Sequence, residues 1–334
     1  MEEQSRRQLL AEVASLYYRE KQTQSRIGKD LGYSRSAISR LLDEAEKKGI
    51  VKIFVDYPIQ RASDLEQKLV TGFGLKDAYV IKRGQLNYDQ SLELVGRMGA
   101  SYFEQRLKDN MVIGIGWGTS IYEVVNALPD IPLNNVNVVQ VVGAIGGKSD
   151  PRVDGAEITS FFASKLKASY HSLHSPLFLD SREACQSLMS QKQIMDTFRI
   201  AYRADFVLLG IGTIDVDDKY SSLYRSGMIS EKDVREIKEK GGVCNFCGLI
   251  FDENGRFLDI DLNHRVMAVD LSQLKNKNNK IIGIAAGKEK TTAIKAALKG
   301  GLIDILFTDE VAVNPIINLT HKREAGWQKE KKEN

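Results

Sequence analysis

The chain has 334 residues, 43% of them hydrophobic and 27% charged, with a net charge of +3. That length supports a sizeable core and more than one small domain, and the composition excludes a disordered or fibrous chain. The small net charge excludes a uniformly basic nucleic-acid binder, so any DNA contact must come from a local patch.

Three cysteines, an odd count, give no disulfide framework, and no run of 18 apolar residues offers a transmembrane helix. The start MEEQSRRQLL lacks the apolar core of a signal peptide. A cytoplasmic protein with no membrane partner is expected.

Residues 1–57 read as short helices followed by one strand. Leu9, Val13, Leu16 and Tyr17 make one apolar face of a first helix. A second helix from Thr23 to Leu31 buries Ile27 and Leu31, Gly32-Tyr33 breaks it, and Ser34 caps a third. There Ile38, Leu41, Leu42 and Ala45 form the buried stripe. Ser34, Arg35, Ser36, Ser39 and Arg40 are left at the cap and outer face, where a recognition helix needs polar side chains to reach base edges. A strand at Val51–Val55 would form a wing, with Lys52 facing phosphate. Residues 1–57 hold eleven Lys/Arg against nine Asp/Glu, so the DNA argument rests on where the arginines lie rather than on bulk charge.

Residues 58–320 change character. Apolar runs at Ala78–Ile81, Met111–Ile115, Val136–Val142, Phe206–Leu209, Leu249–Phe251, Ile281–Ala285 and Ile303–Phe307 predict strands. Helical patterns at Asp89–Leu107, Thr119–Leu128, Glu157–Ala168, Ser230–Lys240 and Thr291–Lys299 lie between them. The alternation predicts a doubly wound, mostly parallel α/β domain, with a local hairpin at Asp252-Glu253-Asn254-Gly255. Ile59–Phe73, with Leu65, Leu69 and Phe73 apolar, reads as a helix coupling the two domains. Residues 321–334 are a charged tail.

Three strand ends run into glycine turns. Met111–Ile115 leads to Gly116-Trp117-Gly118-Thr119-Ser120 and then a helix, a geometry in which backbone N–H groups and two hydroxyls can hold a phosphate. Val136–Val142 ends in Gly143-Ala144-Ile145-Gly146-Gly147, followed by Arg152 as a phosphate or hydroxyl clamp. Ile281–Ala285 ends in a turn carrying Lys288 and Lys290. Ligands of open α/β sheets bind beyond the carboxyl ends of strands, so an anionic small ligand is expected there.

The stretch LYYREKQTQSRIGKDLGYSRSAISRLLDEAEKKGIVKI resembles the helix-turn-helix of the SorC family of sugar-responsive bacterial regulators. GIGWGTS, VVQVVGAIGG, LLGIGTI, GLIFDENG and AAGKEKTTAIKAALKGGLIDILFTDE resemble its sugar-binding domain in matching order, over about residues 8–316. The resemblance implies an effector domain like sugar-phosphate isomerases, assembled into homotetramers that bind operator DNA. It also implies a repressor of a carbohydrate operon controlled by a phosphorylated sugar or polyol. The phosphate would lie on Gly116 and Gly118–Ser120, with Gly143, Arg152, Thr213 and Lys290 around the effector and Arg265 in a matching segment. One departure stands out: the effector-site residue Asn245 occupies a place where relatives often carry an acid; its amide can still hydrogen-bond a hydroxyl but cannot accept a charge-assisted bond as a carboxylate does.

Neither a cofactor nor a metal site is expected. Cys244 and Cys247 form a lone CxxC without the four ligands of structural zinc, and His171 and His174 have no carboxylate at metal spacing. The alternative function is a sugar-phosphate isomerase-like enzyme with Asp154, Glu157 or Asp309 as acids, but spacing singles out no acid–base pair, and a helix-turn-helix has no place on such an enzyme.

Overall fold

The computed structural model describes residues 2–51, 58–145, 153–214, 221–225, 227–275 and 279–318. Of the sequence expectations, the wing beyond Val51, Gly146 and Gly147, Arg152 and the 321–334 tail lie outside the described residues. The chain divides into two compact units, Met1–Pro58 and Ile59–Asn334.

The first unit holds α1 (Glu2–Ala14), a π-helical turn at Ser15–Arg19, α2 (Gln24–Leu31) and α3 (Arg35–Lys47). Its caps follow from side-chain chemistry. The Thr23 hydroxyl accepts from Arg26 N–H at 3.3 Å, and the Ser34 hydroxyl accepts from Ala37 N–H at 3.2 Å. Between them Gly32 adopts the left-handed conformation that ends α2. Gly28 is dictated by close approach, because a Cβ there would stand 2.5 Å from the Tyr33 carbonyl oxygen.

Leu10, Val13, Ile27, Ile38, Leu41, Leu42 and Ala45 make the core of this unit. The face expected for the first helix does turn inward, and it is widened by Leu10. Leu10 and Val13 are fully buried, and Leu9, Leu16 and Tyr17 pack partly buried against the same core. Leu31 is likewise only partly buried.

The second unit begins with α4 (Ser63–Phe73) and β1 (Asp77–Ile81), followed by α5 (Tyr88–Glu104), β2 (Val112–Ile115), α6 (Thr119–Ala127), β3 (Asn137–Gln140), α7 (Gly155–Leu166) and β4 (Ser169–His171). Next come α8 (Arg182–Met189), α9 (Lys192–Ala201), β5 (Phe206–Thr213), α10 (Ser222–Arg225), α11 (Glu231–Glu239), β6 (Cys244–Phe246) and β7 (Leu249–Phe251). The last elements are α12 (Leu271–Lys275), β8 (Lys280–Ile284), α13 (Thr291–Lys299), β9 (Ile305–Asp309) and a helix over 310–318.

Among the described residues seven strands run parallel in the order β1-β9-β8-β5-β2-β3-β4, and the far end of β5 pairs antiparallel with the β6–β7 hairpin. Alternation along each strand divides the core in two. Ile113, Phe206, Leu208, Ile282 and Phe307 pack with α5, α6 and α7 on one face. Val139, Val207, Leu209, Ile281 and Leu306 pack with α4, α9 and α13 on the other. A parallel sheet covered on both faces is a doubly wound α/β domain.

The chain lays β2, β3 and β4 outward in one direction, then returns to place β5 on the opposite side of β2. The gap between the carboxyl ends of β2 and β5 is therefore a topological switch point, where connections leave in opposite directions and open a crevice.

The β6–β7 hairpin is an addition to what the sequence predicts. Its two-residue turn is Cys247-Gly248, with φ of 56° and 80°, closing the Phe246–Leu249 pair. The Asp252–Gly255 turn closes the expected local hairpin, with Phe251 and Phe257 in an antiparallel bridge and the Asp252 N–H donating to the Arg256 carbonyl at 3.0 Å.

Candidate functional site

In the first unit Ser34, Arg35, Ser36 and Arg40 are exposed and Ser39 is half-buried. The buried stripe Ile38, Leu41, Leu42 and Ala45 turns the opposite face of α3 inward. Arg40 Nε lies 3.4 Å from the Ser36 carbonyl oxygen, and the Ser34 and Ser36 hydroxyls are 3.0 Å apart. Arg35 also lines a shallow groove with Tyr17, Tyr18 and Thr23 at the start of α2. The outer face of α3 thus carries two guanidinium groups and three hydroxyls on a rigid scaffold.

In the second unit a cavity of about 510 Å³ sits at the switch point. Gly116, Gly118, Thr119, Ser120, Thr213, Asn245 and Lys290, all singled out from the sequence, line it. Gly143 does not. A Cβ there would stand 2.3 Å from the Pro176 carbonyl oxygen, and its N–H donates to Met267 at 2.7 Å, so this glycine serves strand packing. Arg265 is also elsewhere, clasping Asp233 at 2.7 Å, Asp261 at 2.9 Å and the Leu179 carbonyl at 2.9 Å.

The glycine turn after β2 has a specific backbone origin. Gly118 and Gly287 take φ/ψ of 117°/159° and 92°/150° at the ends of β2 and β8, a region open essentially only to glycine. Each redirects an emerging strand straight into a helical turn. Gly118 contributes no capping side chain to α6, so the first N–H groups of the helix are left for solvent or a ligand beside the Thr119 and Ser120 hydroxyls. Lys290, buried at 7% exposure, ends the short 3₁₀ turn after Gly287.

The sequence reading missed several lining residues. Gly210 and Gly212, two apart on β5, share one strand face and leave the cavity floor bare. The Gly-x-Gly spacing was available as a signal. Tyr88 and Asp89 at the start of α5 and Glu123 on α6 also line the cavity, along with Cys247 at the hairpin tip, and no local motif marks them.

Burial pushes the Cys244 and Cys247 thiols up to about 12, and Lys290 pulls the Cys244 value back only slightly. Both are free, inert thiols rather than thiolates, and the described residues contain no metal-type cluster. Among the carboxylates weighed for an enzyme, Asp154 caps α7 by accepting from the Ala156 and Glu157 N–H groups at 2.9 and 3.1 Å. Asp309 is fully buried and bonded, and neither Asp154, Glu157 nor Asp309 lines the cavity. Among the described residues no helix is long and apolar enough to cross a membrane.

Comparison with known proteins gives this geometry a context. Residues 57–318 match the family model described as "Putative sugar-binding domain". The chain is 30% identical over 304 residues to the sorbitol operon regulator of Klebsiella pneumoniae, covering 90% of this chain and 95% of that protein. It is 28% identical over 318 residues to the deoxyribonucleoside regulator of Bacillus subtilis, covering 95% and 99%. The crystal structure of the full-length sorbitol operon regulator SorC from Klebsiella pneumoniae superposes with a TM-score of 0.70 at 28% identity, covering 93% of this chain and 99% of that one.

Proposed function

This chain belongs to the SorC family of sugar-binding-domain transcriptional regulators, and from that premise we propose that it represses a carbohydrate operon by binding operator DNA and releases it on binding a phosphorylated sugar or polyol. The observation that carries the effector half is the uncapped start of α6, with Thr119 and Ser120, opening onto a switch-point cavity that also holds Lys290. A phosphate there meets backbone donors, two hydroxyls, a helix dipole and one ammonium. Thr213 and Asn245, on paired strands, contact the rest of the effector, and Arg152, outside the described residues, is assigned to its phosphate or a hydroxyl.

The operator half rests on α3. Ser34, Arg35, Ser36, Ser39 and Arg40 reach base edges and phosphates in the major groove while α1 and α2 brace the backbone contact. The working form is a cytoplasmic homotetramer in which effector binding shifts the balance between arrangements of the DNA-binding heads. The effector does this only by binding the two arrangements unequally.

An isomerase-like enzyme has less behind it. The carboxylates considered for acid–base work are engaged in capping and packing or lie away from the cavity, and the similar proteins of full length are named as regulators.

The test is a thermal-shift screen of the full chain against phosphorylated sugars and polyols paired with their dephosphorylated forms. A ligand at 100 times its Kd adds about 2.7 kcal/mol of stability. Stabilisation by a phosphorylated member alone is the expected result, and a response only to free sugars removes the Thr119–Ser120 assignment.

A further inference from the structure

The cavity is chemically two-sided. Its carboxylates, Asp89 and Glu123, stand on α5 and α6. The wall built by β6 and the turn after β8 presents an amide and an ammonium, from Asn245 and Lys290. Lys290 is near enough to β6 to act on the Cys244 thiol.

Asn245 is the unusual member. It is 5% exposed, its strand partner Gly212 leaves room for it, and its Nδ2 is buried with no hydrogen-bond partner among the described residues. A Cβ on Gly212 would stand 3.2 Å from the Asn245 Cβ and 3.5 Å from its Oδ1, so the amide lies directly over the bare floor. A buried amide donor left unpaired is costly, and such groups are retained where a ligand completes them.

The donor count gives the chemistry of that ligand. The unpartnered atom on this wall is the amide Nδ2, a donor, and the ammonium beside it carries N–H groups only. A hydroxyl offered to this wall carries a hydrogen that itself needs an acceptor. A carbonyl or carboxylate oxygen brings lone pairs alone.

Resting on the sugar-phosphate reading above, we infer that the effector's non-phosphorylated end carries a carbonyl or carboxylate oxygen, read by Asn245 and Lys290, and that Asn245 sets this preference. The effector class is a phosphorylated keto sugar or sugar acid rather than a phosphorylated alditol.

The test uses the full-length protein, calorimetry and thermal shift, and pairs of equal chain length: 6-phosphogluconate against sorbitol 6-phosphate, 4-phosphoerythronate against erythritol 4-phosphate, and 3-phosphoglycerate against glycerol 3-phosphate, with inorganic phosphate as reference. In at least one pair the carboxylate member binds tenfold or more tightly than the alditol. Asn245→Asp, which adds charge, reverses that ratio, and Asn245→Ala, which only removes the donor, brings it near one. Alditol preference in every responding pair, or a ratio unmoved by both variants, overturns the inference. So does a response to inorganic phosphate that no carboxylate member exceeds, although the phosphate turn then stands. Silence towards every phosphate compound, inorganic phosphate included, removes the underlying reading as well.

Discussion

The buried carboxylate of Asp309 accepts the backbone N–H of Gly287 at 3.0 Å, tying the end of β9 to the turn that carries Lys290. The same oxygen accepts from the Ser91 hydroxyl at 2.7 Å, and its partner oxygen accepts from the Ala312 N–H at 2.9 Å. Arg83 stands 3.9 Å away. One side chain thus fixes α5, the 310–318 helix and the Lys290 turn together. Removing it in Asp309→Ala orphans several buried donors, and denaturant unfolding should show a loss of about 3 kcal/mol. The remaining folded protein should respond poorly to effector, since the turn that holds Lys290 is no longer pinned.

The Gly118–Ser120 turn, with Lys290, makes a sharper separation. Thr119→Ala combined with Lys290→Ala removes a hydroxyl and the ammonium from the cavity without touching α3. Effector-induced stabilisation should vanish in the thermal-shift assay, while DNA affinity in fluorescence anisotropy stays at the wild-type value. A double mutant that still responds normally places the pocket elsewhere.

Cys247 sits at φ 56° in the first position of a two-residue turn, where asparagine or glycine is favoured. A buried residue kept in that conformation lines the cavity for its side chain rather than for the turn. Cys247→Gly, which suits the turn and adds no buried polar group, should therefore change the stability of the ligand-free protein by less than about 1 kcal/mol in denaturant unfolding, and at the same time weaken effector binding. Lower stability with unchanged effector binding contradicts this role.

On the DNA face, Arg40→Ala should cost about 1–3 kcal/mol of specific binding if the guanidinium reads a base, measured by anisotropy at fixed salt. A change in the salt dependence with equal loss on all sequences assigns Arg40 to phosphate contact instead.

The first unit carries a pH signature. A hydrogen bond from Arg6 at 2.6 Å, with Lys48 at 3.0 Å, holds the Glu44 carboxyl at about 2, below the ordinary 4.5. Because the folded value is the lower one, the ionised group stabilises the fold above pH 4.5, and its contribution fades as the pH falls toward 2. Amide-exchange protection in α1 and α3 should decline over that window, and Glu44→Gln should decline less. Equal decline in both proteins denies Glu44 the role.

Much of this architecture was written locally in the chain. The apolar runs at 78–81, 111–115 and 281–285 each contain most of a parallel strand, since burial on both faces demands continuous hydrophobicity. Ser34 and Gly32 set the start of α3 by chemistry that needs no tertiary context. The strand β4, with its exposed Ser169 and Tyr170, and the short β6 were not legible, because an edge strand and a three-residue strand carry too little pattern. The Cys247-Gly248 turn escaped because cysteine is not a turn signal. In the cavity, glycine turns announced Thr119, Ser120 and Lys290, whereas Asp89 and Glu123 are brought in from helices by packing alone. Gly143 misled for a related reason: glycine marks close backbone approach, whether the neighbour is a ligand or Pro176.

The most direct test of the whole account couples its two halves in one titration. A binding site is first selected from random DNA with the full-length protein, and its affinity is then measured by anisotropy with and without the sugar phosphate that most stabilises the protein. The account predicts a change of at least about fivefold, the scale of a 1 kcal/mol coupling. The dephosphorylated sugar should have no effect, and the Thr119→Ala, Lys290→Ala protein should show none either. An affinity for the selected DNA that stays constant while the sugar phosphate saturates its cavity would contradict it.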